Sequence, residues 1–507
     1  MISCISSIEK EDMCTDICII GSGIAGGTIV HKLIKSKIRF ILIESGNLTN
    51  PKTPQVIYEN IGRDFGLRST TSIQVGGTSN LWHGVLAPLD SLDFEKREWI
   101  PNSGWPINLS DLGPYYKQAS DILNINNYNL FNLDNLPKDL FDSLNLLNID
   151  RRLFKNKIFQ QPLPPINFKN EIVKYLKNAK FNHCFINTTA LELKKKKGII
   201  YKLKIGGLDG KFKYIKAKKY ILCAGALETP RLLINSKFKN GNIGKYLMDH
   251  PMGNLCQVKF NYKTPAQIYS AKKISRNQVI KSGLIMDEDT QKKFNLPNSC
   301  FYFRPSFVRG INNESEKIKL SLLSIKDRQI TKQDILKVIK NLNVVAQILI
   351  YKLSLSFNYK YADLFFLTEQ TPNKESSVSL SNKLDMWGYP ISRINWKVSD
   401  YDIESTKKWF EILKSNKIMN DHYSFTHDEN DIDWENIFTS AAHHVGTARM
   451  GNTKITGVID KNLKYFGMDN LYVCDGSAFP TSGNVNNGLT ISALACRLVD
   501  YLKEANH

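Results

Sequence analysis

Two hydrophobic periodicities divide the chain. Continuous apolar runs recur next to glycine. Asp16–Ile20 leads into Gly21, Phe40–Ile43 ends in Glu44-Ser45-Gly46, Tyr220–Cys223 leads to Ala224-Gly225, and Leu471–Cys474 to Asp475-Gly476. Unbroken runs of this kind suit parallel strands buried on both faces. Helix-period stretches follow them. They are Thr28–Lys35, then Leu227–Ser236 with Pro230 in its first turn, and a last helix from about Leu489. Cys184–Lys219 alternates polar and apolar residues instead, with a Gly-Gly pair at 206–207, which predicts a small antiparallel unit turning at those glycines.

The region Lys259–Trp434 follows neither period for long. It offers strand-like pieces at Cys300–Phe307, Ser376–Leu380 and Arg393–Val398, an amphipathic helix at Tyr401–Lys414, and a basic helical insert at 331–355. The pattern predicts an α/β protein. A Rossmann-like domain is expected from 14–90, 184–258 and 435–507, where these glycine-flanked runs lie. A substrate domain and cover come from 91–183 and 259–434, built on an antiparallel sheet plus helices. The cover is Pro88–Tyr116, which carries Trp99, Trp105, Tyr115 and Tyr116 among polar residues.

At 507 residues the chain is too long for one core, in keeping with two domains. The formal charge is +20, but the lysines are scattered and the densest run, Lys194–Lys197, reads as a solvated hairpin turn. No zinc-ligand spacing and no aromatic-basic motif accompanies the charge, so nucleic acid is not an expected partner. The nine cysteines follow no repeated spacing, which predicts free thiols in a reducing compartment. No apolar run spans a bilayer, and Met1–Cys14 lacks the apolar stretch of a signal peptide; the expectation is a cytoplasmic protein.

The first run carries chemistry. Strand, Gly21-Ser22-Gly23-Ile24-Ala25-Gly26, helix, second strand and Glu44 form the βαβ dinucleotide fingerprint in full context. Gly21 makes the turn, Gly23 lets the backbone approach a pyrophosphate, and Gly26 lets helix and strand pack. Glu44 stands where an acid takes a ribose hydroxyl. This unit alone leaves FAD and NAD both open. Gln74–Gly84 adds adjacent glycines and the short polar residues Thr78, Ser79 and Asn80, suited to a backbone passing close to a ligand ring. Near the C-terminus His443 and His444 precede a Val-Gly-Thr turn, and Asn486-Asn487 precede the last helix. An imidazole accepts a proton near neutral pH, and an amide beside it holds a hydroxyl without competing for that proton. Chemistry alone does not choose between His443 and His444; the other is expected to cap the turn. There is no Gly-x-Ser-x-Gly elbow. His83, His250, His443 and His444 are too dispersed in sequence to predict a metal site, and His83 reads as a loop histidine.

Four motifs together resemble the glucose-methanol-choline (GMC) family of FAD-dependent oxidoreductases over nearly the whole chain. They are Ile20–Gly27 with Glu44-Ser45-Gly46; Gly76–Trp82; Cys223–Asn235 with Gly244–Pro251; and His443–Gly451 with Asp475–Ala495. The resemblance is closest to branches that oxidise sugars and polyols. It implies FAD, a two-domain fold, and oxidation of a CH–OH group by hydride transfer to flavin N5. It assigns His443 as the catalytic base and Asn486 as the second catalytic position. Cofactor contacts would fall on Gly21, Gly23, Ile24, Ala25, Gly26, Glu44, Ser45, Gly77, Thr78, Asn80, Leu81, Trp82, Ala224, Gly225, Asp475, Gly476, Asn487 and Thr490. Leu81 occupies the position from which some members tether the flavin through histidine, so the FAD is expected to be non-covalent. The chain departs from the family in having Asn486-Asn487 for Asn-Pro and Gly483-Asn484 for Gly-Gly. The expected substrate is a sugar, glycoside or polyol, and the electron acceptor oxygen, a quinone or another carrier. The alternative is a lyase with structural flavin, in which His443 does acid–base chemistry only. For the insert at 331–355, assembly or docking on a membrane surface are the roles left open.

Overall fold

The computed structural model describes the chain except residues 6–11, 35, 37, 50–57, 65–70, 145–149, 178, 180, 266–270, 307–317, 319–320, 323–330, 343, 347–348, 350–357, 417–422, 428 and 505–507. The apolar runs next to glycine become the parallel strands of one sheet. Asp12–Ile20 lies between Phe40–Ile43 and Phe212–Leu222, parallel to both. His183–Ile186 extends the sheet beyond Phe40–Ile43, and Leu471–Val473 pairs parallel to Phe212–Leu222. The antiparallel unit is Thr188–Lys196, Ile199–Gly207 and the start of Phe212–Leu222. Its first turn falls at Lys197-Gly198, inside the basic run. Gly206 and Gly207 end a strand and do not form the turn between strands. A Cβ on Gly206 would stand 2.6 Å from the Trp387 ring, so packing explains that glycine.

Helix Ile24–Leu33 begins four residues earlier than its periodicity predicts, directly after Gly23. It packs under the C-terminal helix Gly488–Glu504, where Thr28 Oγ1 and Ser492 Oγ are 3.0 Å apart. Helices Leu109–Ile122 and Phe168–Leu176 place Leu112, Tyr116, Ala119, Phe168, Ile172 and Leu176 in the same core as the parallel sheet. Part of 91–183, expected in the substrate domain and cover, therefore packs directly on the parallel-sheet core. The apolar residues of Leu109–Ile122 recur at helical spacing on one face, so the helix needs a wall to bury them. Tyr116 is fully buried on that wall and hydrogen-bonds Thr490.

The second sheet is antiparallel and runs from Lys272–Ser275 through Gln278–Met286, Ser299–Ser306, Asn358–Thr368 and Pro251–Pro265 to Tyr423–Phe425. Phe154–Pro162 also pairs with Gln278–Met286. One face packs on helix Asp400–Lys414, whose start is fixed by a capping box between Ser399 and Asp402. Trp409 of that helix lies flat on Phe301, with ring centroids 3.6 Å apart. The other face carries Phe159, Ile285 and Cys300 into the first core, which turns it toward the dinucleotide domain. Three strands, Tyr58–Asn60, Ser377–Leu384 and Pro390–Asn395, form a third sheet.

The insert at 331–355 contains helix Lys332–Lys340, capped by Thr331 and Asp334. Residues 343, 347–348 and 350–355 lie outside the described residues. No described helix is long and apolar enough to cross a membrane, and all nine cysteines are free.

Trp409 is 1% exposed. Trp409→Ala is expected to cost about 3–5 kcal/mol through lost burial and the cavity left behind. A urea titration read by circular dichroism measures the loss.

Candidate active site

The glycine fingerprint has the geometry its residue types suggested. Gly21 has φ +101, and a Cβ there would lie 2.4 Å from the Cys223 carbonyl oxygen. Gly26 presses on the same turn, since its Cβ would stand 2.0 Å from Gly21 O. Gly23 differs: nothing lies within 4 Å of a Cβ built there. It opens helix Ile24–Leu33, which has no side-chain cap, so the N–H groups of that first turn, at Ile24 and Ala25, lack a side-chain acceptor. Gly77, with φ +52, would bring its Cβ to 3.0 Å from Gly23 Cα. The two glycine loops therefore abut beside one open, uncapped helix end. Such an end favours a phosphate.

Glu44 sits at the end of its strand with its carboxylate buried. It accepts from Ser22 N (3.1 Å), Ser22 Oγ (2.5 Å) and Gly46 N (2.8 Å). Burial raises its pKa against the pull of those hydrogen bonds. Ser22 Oγ also accepts from Gly76 N at 2.9 Å, tying the fingerprint to the Gly76–Trp82 segment. Asn80 serves that segment locally, donating to Val75 O and Gly77 O. Ser45, Thr78 and Leu81 are exposed. Trp82 donates to Ile166 O, and its ring would meet a Cβ on Gly488 at 2.6 Å.

Ala224 and Gly225 begin helix Gly225–Asn235, two residues ahead of the predicted start, so Pro230 stands in the second turn. Proline has no N–H to give to the carbonyl four residues back. That carbonyl, Ala226 O, accepts instead from Thr447 Oγ1 at 2.6 Å. The carbonyl that Pro230 leaves without its helical donor thus anchors the turn that follows the histidines. Asp475 is fully engaged by protein. One oxygen takes Gly225 N (2.9 Å) and Thr229 Oγ1 (2.6 Å), and the other takes Ser477 N (2.8 Å) and Ser477 Oγ (2.5 Å). Gly476 O accepts from Gly446 N, and a Cβ on Gly476 would lie 2.6 Å from His444 O. The Asp475 carboxylate and the Thr490 hydroxyl, bonded to Tyr116, are directed at protein partners. Asp475 and Gly476 shape the site through backbone placement.

His443 and Asn486 meet: Asn486 Nδ2 is 2.7 Å from His443 Nε2. On the other side His443 Nδ1 is 2.9 Å from His250 Nδ1. His250 Nε2 lies 3.1 Å from Ser482 O and 2.9 Å from Gly483 O. Carbonyl oxygens only accept, so His250 carries its proton on Nε2. Burial lowers the pKa of His250 and keeps it neutral, which leaves Nδ1 as an acceptor. His443 then donates from Nδ1, and its Nε2 presents a lone pair toward Asn486. The chain of bonds fixes the tautomer of His443.

Asp249, fully buried, holds this arrangement. Its Oδ1 accepts His250 N (2.6 Å) and His443 N (2.8 Å), and its Oδ2 accepts Ser440 Oγ (2.5 Å). His444 turns to the Asp249 side, with Nε2 3.9 Å from Oδ2. Asn487 donates to His443 O at 2.9 Å, while its buried Oδ1 has no partner. Asp249 and His250 were missed in the sequence, where they lie nearly two hundred residues before His443; their place in the Gly244–Pro251 motif was the available signal. The expectation of dispersed histidines is also corrected. Asp249, His250 and His443 offer ligand atoms within 4.8 Å of one another. Those atoms are already committed to backbone N–H groups, to Ser440 and to the inter-histidine bond, so the cluster is a hydrogen-bonded one. His83 is exposed, and its backbone carbonyl accepts from Gln161.

Fold and site together define an α/β protein of the dinucleotide-binding kind that brings a histidine and an asparagine together. GMC oxidoreductase family signatures match residues 169–252 and 372–495. The chain thus carries both GMC oxidoreductase signatures. It is 24% identical over 314 residues to 2-methyl-1,2-propanediol dehydrogenase of Mycolicibacterium austroafricanum, spanning 57% of this chain and 48%, about half, of that protein. It is 20% identical to the fructose dehydrogenase large subunit of Gluconobacter japonicus, over 98% of this chain and 99% of that one. The fold is shared with pyridoxine 4-oxidase from Mesorbium loti (TM-score 0.56, 17% identity, covering 97% of this chain and 100% of that one). The family implies a flavin cofactor. The open side of Gly23, the uncapped helix end and the unpartnered Asn487 Oδ1 fit such a group.

Two glycine variants separate the cradle from the packing. Gly23→Val is expected to leave the melting temperature of the flavin-free protein nearly unchanged and to lose most bound flavin, read from the visible spectrum after purification. Gly26→Ala is expected to lower that melting temperature by several degrees, because Gly21 O blocks the added carbon.

Proposed function

We propose that the protein is an FAD-dependent oxidoreductase that oxidises a CH–OH group of a sugar, glycoside or polyol, passing the electrons to oxygen, a quinone or another carrier. The observation that carries this reading is the His443–Asn486 pair, with a lone pair at His443 Nε2 and an amide donor 2.7 Å away. FAD, when bound non-covalently, supplies an acceptor for the hydride. The protein residues handle the proton. A substrate hydroxyl entering between the pair accepts from Asn486 Nδ2 and donates to His443 Nε2. As the hydride leaves carbon, the hydroxyl proton moves to Nε2, and an aldehyde or ketone remains. His250 Nδ1, the acceptor for His443 Nδ1–H, steadies the positive charge that forms on the ring. Gly23, Ile24, Ala25 and Gly26 hold the pyrophosphate, and Glu44 a ribose. Gly77, Thr78, Asn80, Leu81, Trp82, Ala224, Gly225, Asn487 and Thr490 border the remainder of the cofactor. Its sugar- and alcohol-oxidising relatives support the oxidoreductase reading. None of the relatives described above is a lyase.

Purified protein is expected to be yellow, and anaerobic addition of a substrate sugar or polyol to bleach the flavin band. A colourless protein that FAD cannot reconstitute would sink the reading. His443→Ala should keep its flavin and lose at least about three orders of magnitude in bleaching rate, the upper part of the range for a general base. His444→Ala should stay within about tenfold of the unaltered enzyme. The reverse ranking would move the base to His444.

The pKa of His443 is lowered by burial first, then by the neighbouring His250 and His444, against the opposing pull of Asp249. A base whose pKa is depressed stays unprotonated further into acid. The acid limb of kcat/KM is therefore expected well below the ordinary histidine value of about 6.5. A limb at or above that ordinary value would show that His443 is not held in this environment.

A further inference from the structure

Strand Gln278–Met286 sends Ile280, Leu284 and Met286 into the core of the second domain, and Ile285 into the core of the first. Alternation along a strand then places Lys281 and Gly283 on the face toward the dinucleotide domain. Lys281 stands beside Phe159 of Phe154–Pro162, which also belongs to the first core. The neighbouring strand is in register at Leu284↔Phe301 and Ile285↔Cys300, and continuing that register sets Arg304 opposite Lys281. Arg304 lies over the Phe365 ring, 3.1 Å from its centroid, with Tyr302 paired to Phe365 along the same ladder.

This patch reaches the catalytic loop. Lys157, two residues from Phe159 and on the same face, donates to Asn484 Oδ1 at 3.2 Å. Asn484 is two residues from Asn486. Lys281 is therefore one row of side chains, about 7 Å along the strand, from the row that touches that loop.

One ammonium of the patch, that of Lys281, has no side-chain partner among the described residues. Lys157 has Asp90 at 2.6 Å. Lys281, half-buried, has no hydrogen bond and no ion pair among the described residues. The carboxyl nearest in register, Asp363, pairs with Arg304 across the ladder and accepts from Gln257 at 3.3 Å. An ammonium drawn out of water beside a guanidinium is costly unless a counter-charge arrives.

We propose that the substrate alcohol bears an anionic group, a carboxylate or a phosphate, and that Lys281 with Arg304 beside it receives that group while the hydroxyl lies at His443 and Asn486. The assignment rests on the alcohol-oxidising reading of the site. It narrows the substrate to acidic sugars, hydroxy acids or phosphate monoesters, and disfavours amino sugars. The free state shows the strain of the unmatched charge. Burial, then Arg304, lowers the pKa of Lys281 to about 8, and burial raises that of Asp363 to about 6. Besides Arg304 and Asp363, the ionisable groups toward Lys281 are Lys157, Tyr302 and Lys273 on the strands beside it. The Tyr302 pKa is pushed well above its usual value by burial, and Lys157 remains matched by Asp90, so the change near pH 8 belongs to Lys281. Lysine is charged below its pKa; anion preference is expected to be full at pH 7 and to fall as pH rises past about 8.

The test uses flavin-loaded protein in phosphate-free buffer and matched compounds: glycerol against glycerate, glucose against gluconate, and each alcohol against its phosphate monoester. Anaerobic flavin reduction is expected to be at least about tenfold faster with one anionic class than with its neutral partner, an advantage of about 1.4 kcal/mol. The better class distinguishes carboxylate from phosphate. Lys281→Met should collapse that ratio toward one, and Lys281→Arg should retain it above pH 8. Neutral compounds that bleach the flavin as fast as their anionic partners would overturn the proposal and leave the oxidoreductase reading standing. If no compound bleaches the flavin, the oxidoreductase reading is the one that fails. Binding then decides the proposal separately. Inorganic phosphate or acetate should raise the melting temperature of the unaltered protein and not that of Lys281→Met; equal shifts in both would overturn it.

Discussion

The Asp249 carboxylate joins what the rest of the structure separates. It lies after helix Gly225–Asn235, just before strand Pro251–Pro265 of the second sheet. Two of its hydrogen bonds come from the backbones of His250 and His443, and a third from Ser440. A buried carboxylate is tolerable only when such donors surround it. Satisfying Asp249 therefore forces two segments far apart in sequence into one geometry. The rings of those two histidines then have a single sensible pattern of protons. A charge that needs partners has become a device for selecting a tautomer.

Around that point the backbone of the first domain is held by contacts that tolerate no side chain. Gly26 against Gly21, Gly476 against His444 and Gly446 against Tyr246 all bring main chain within 3 Å of a position where a Cβ would stand. Gly23 is the contrasting case, open on the side where the others are closed. Identical residues thus do opposite work, and only the space beside them tells which. The hydroxyl of Thr447, taken up by the carbonyl that Pro230 cannot satisfy, adds one more rigid link between that helix and the turn that follows the histidines.

Much of the first domain was legible because its signals are local. Each parallel strand is a short apolar run followed by a glycine, and the helix after it can be counted from that glycine. Boundaries slipped by two to four residues where glycine or alanine, which carry little periodic signal, formed the first turn, as at Ile24–Ala25 and Gly225–Ala226. The second sheet was harder. Pro251–Pro265 shifts register twice against Asn358–Thr368, so a strict two-residue alternation is lost along both strands. His443 and Asn486 were found because their spacing matches a pattern, whereas His250 enters the site through a contact across 193 residues that no local period encodes. The side chains of Thr490 and Asp475 are held by Tyr116 and Thr229, partners that lie hundreds of residues away and that no local signal announces.

The order of the chain also constrains how the molecule can be made. Strand Phe212–Leu222 sits inside the dinucleotide sheet, yet its partner Leu471–Val473 emerges from the ribosome some two hundred and fifty residues later. Helix Ile24–Leu33 waits longer still for Ser492, and Tyr116 for Thr490. During synthesis the second sheet is complete while the first has an open edge and a helix without its cover. Exposed edges of that kind invite wrong pairing. The residues from Leu471 onward both close that edge and bring Asn486 to His443, so a nascent chain gains its protection from wrong pairing and its histidine–asparagine pair in the same step.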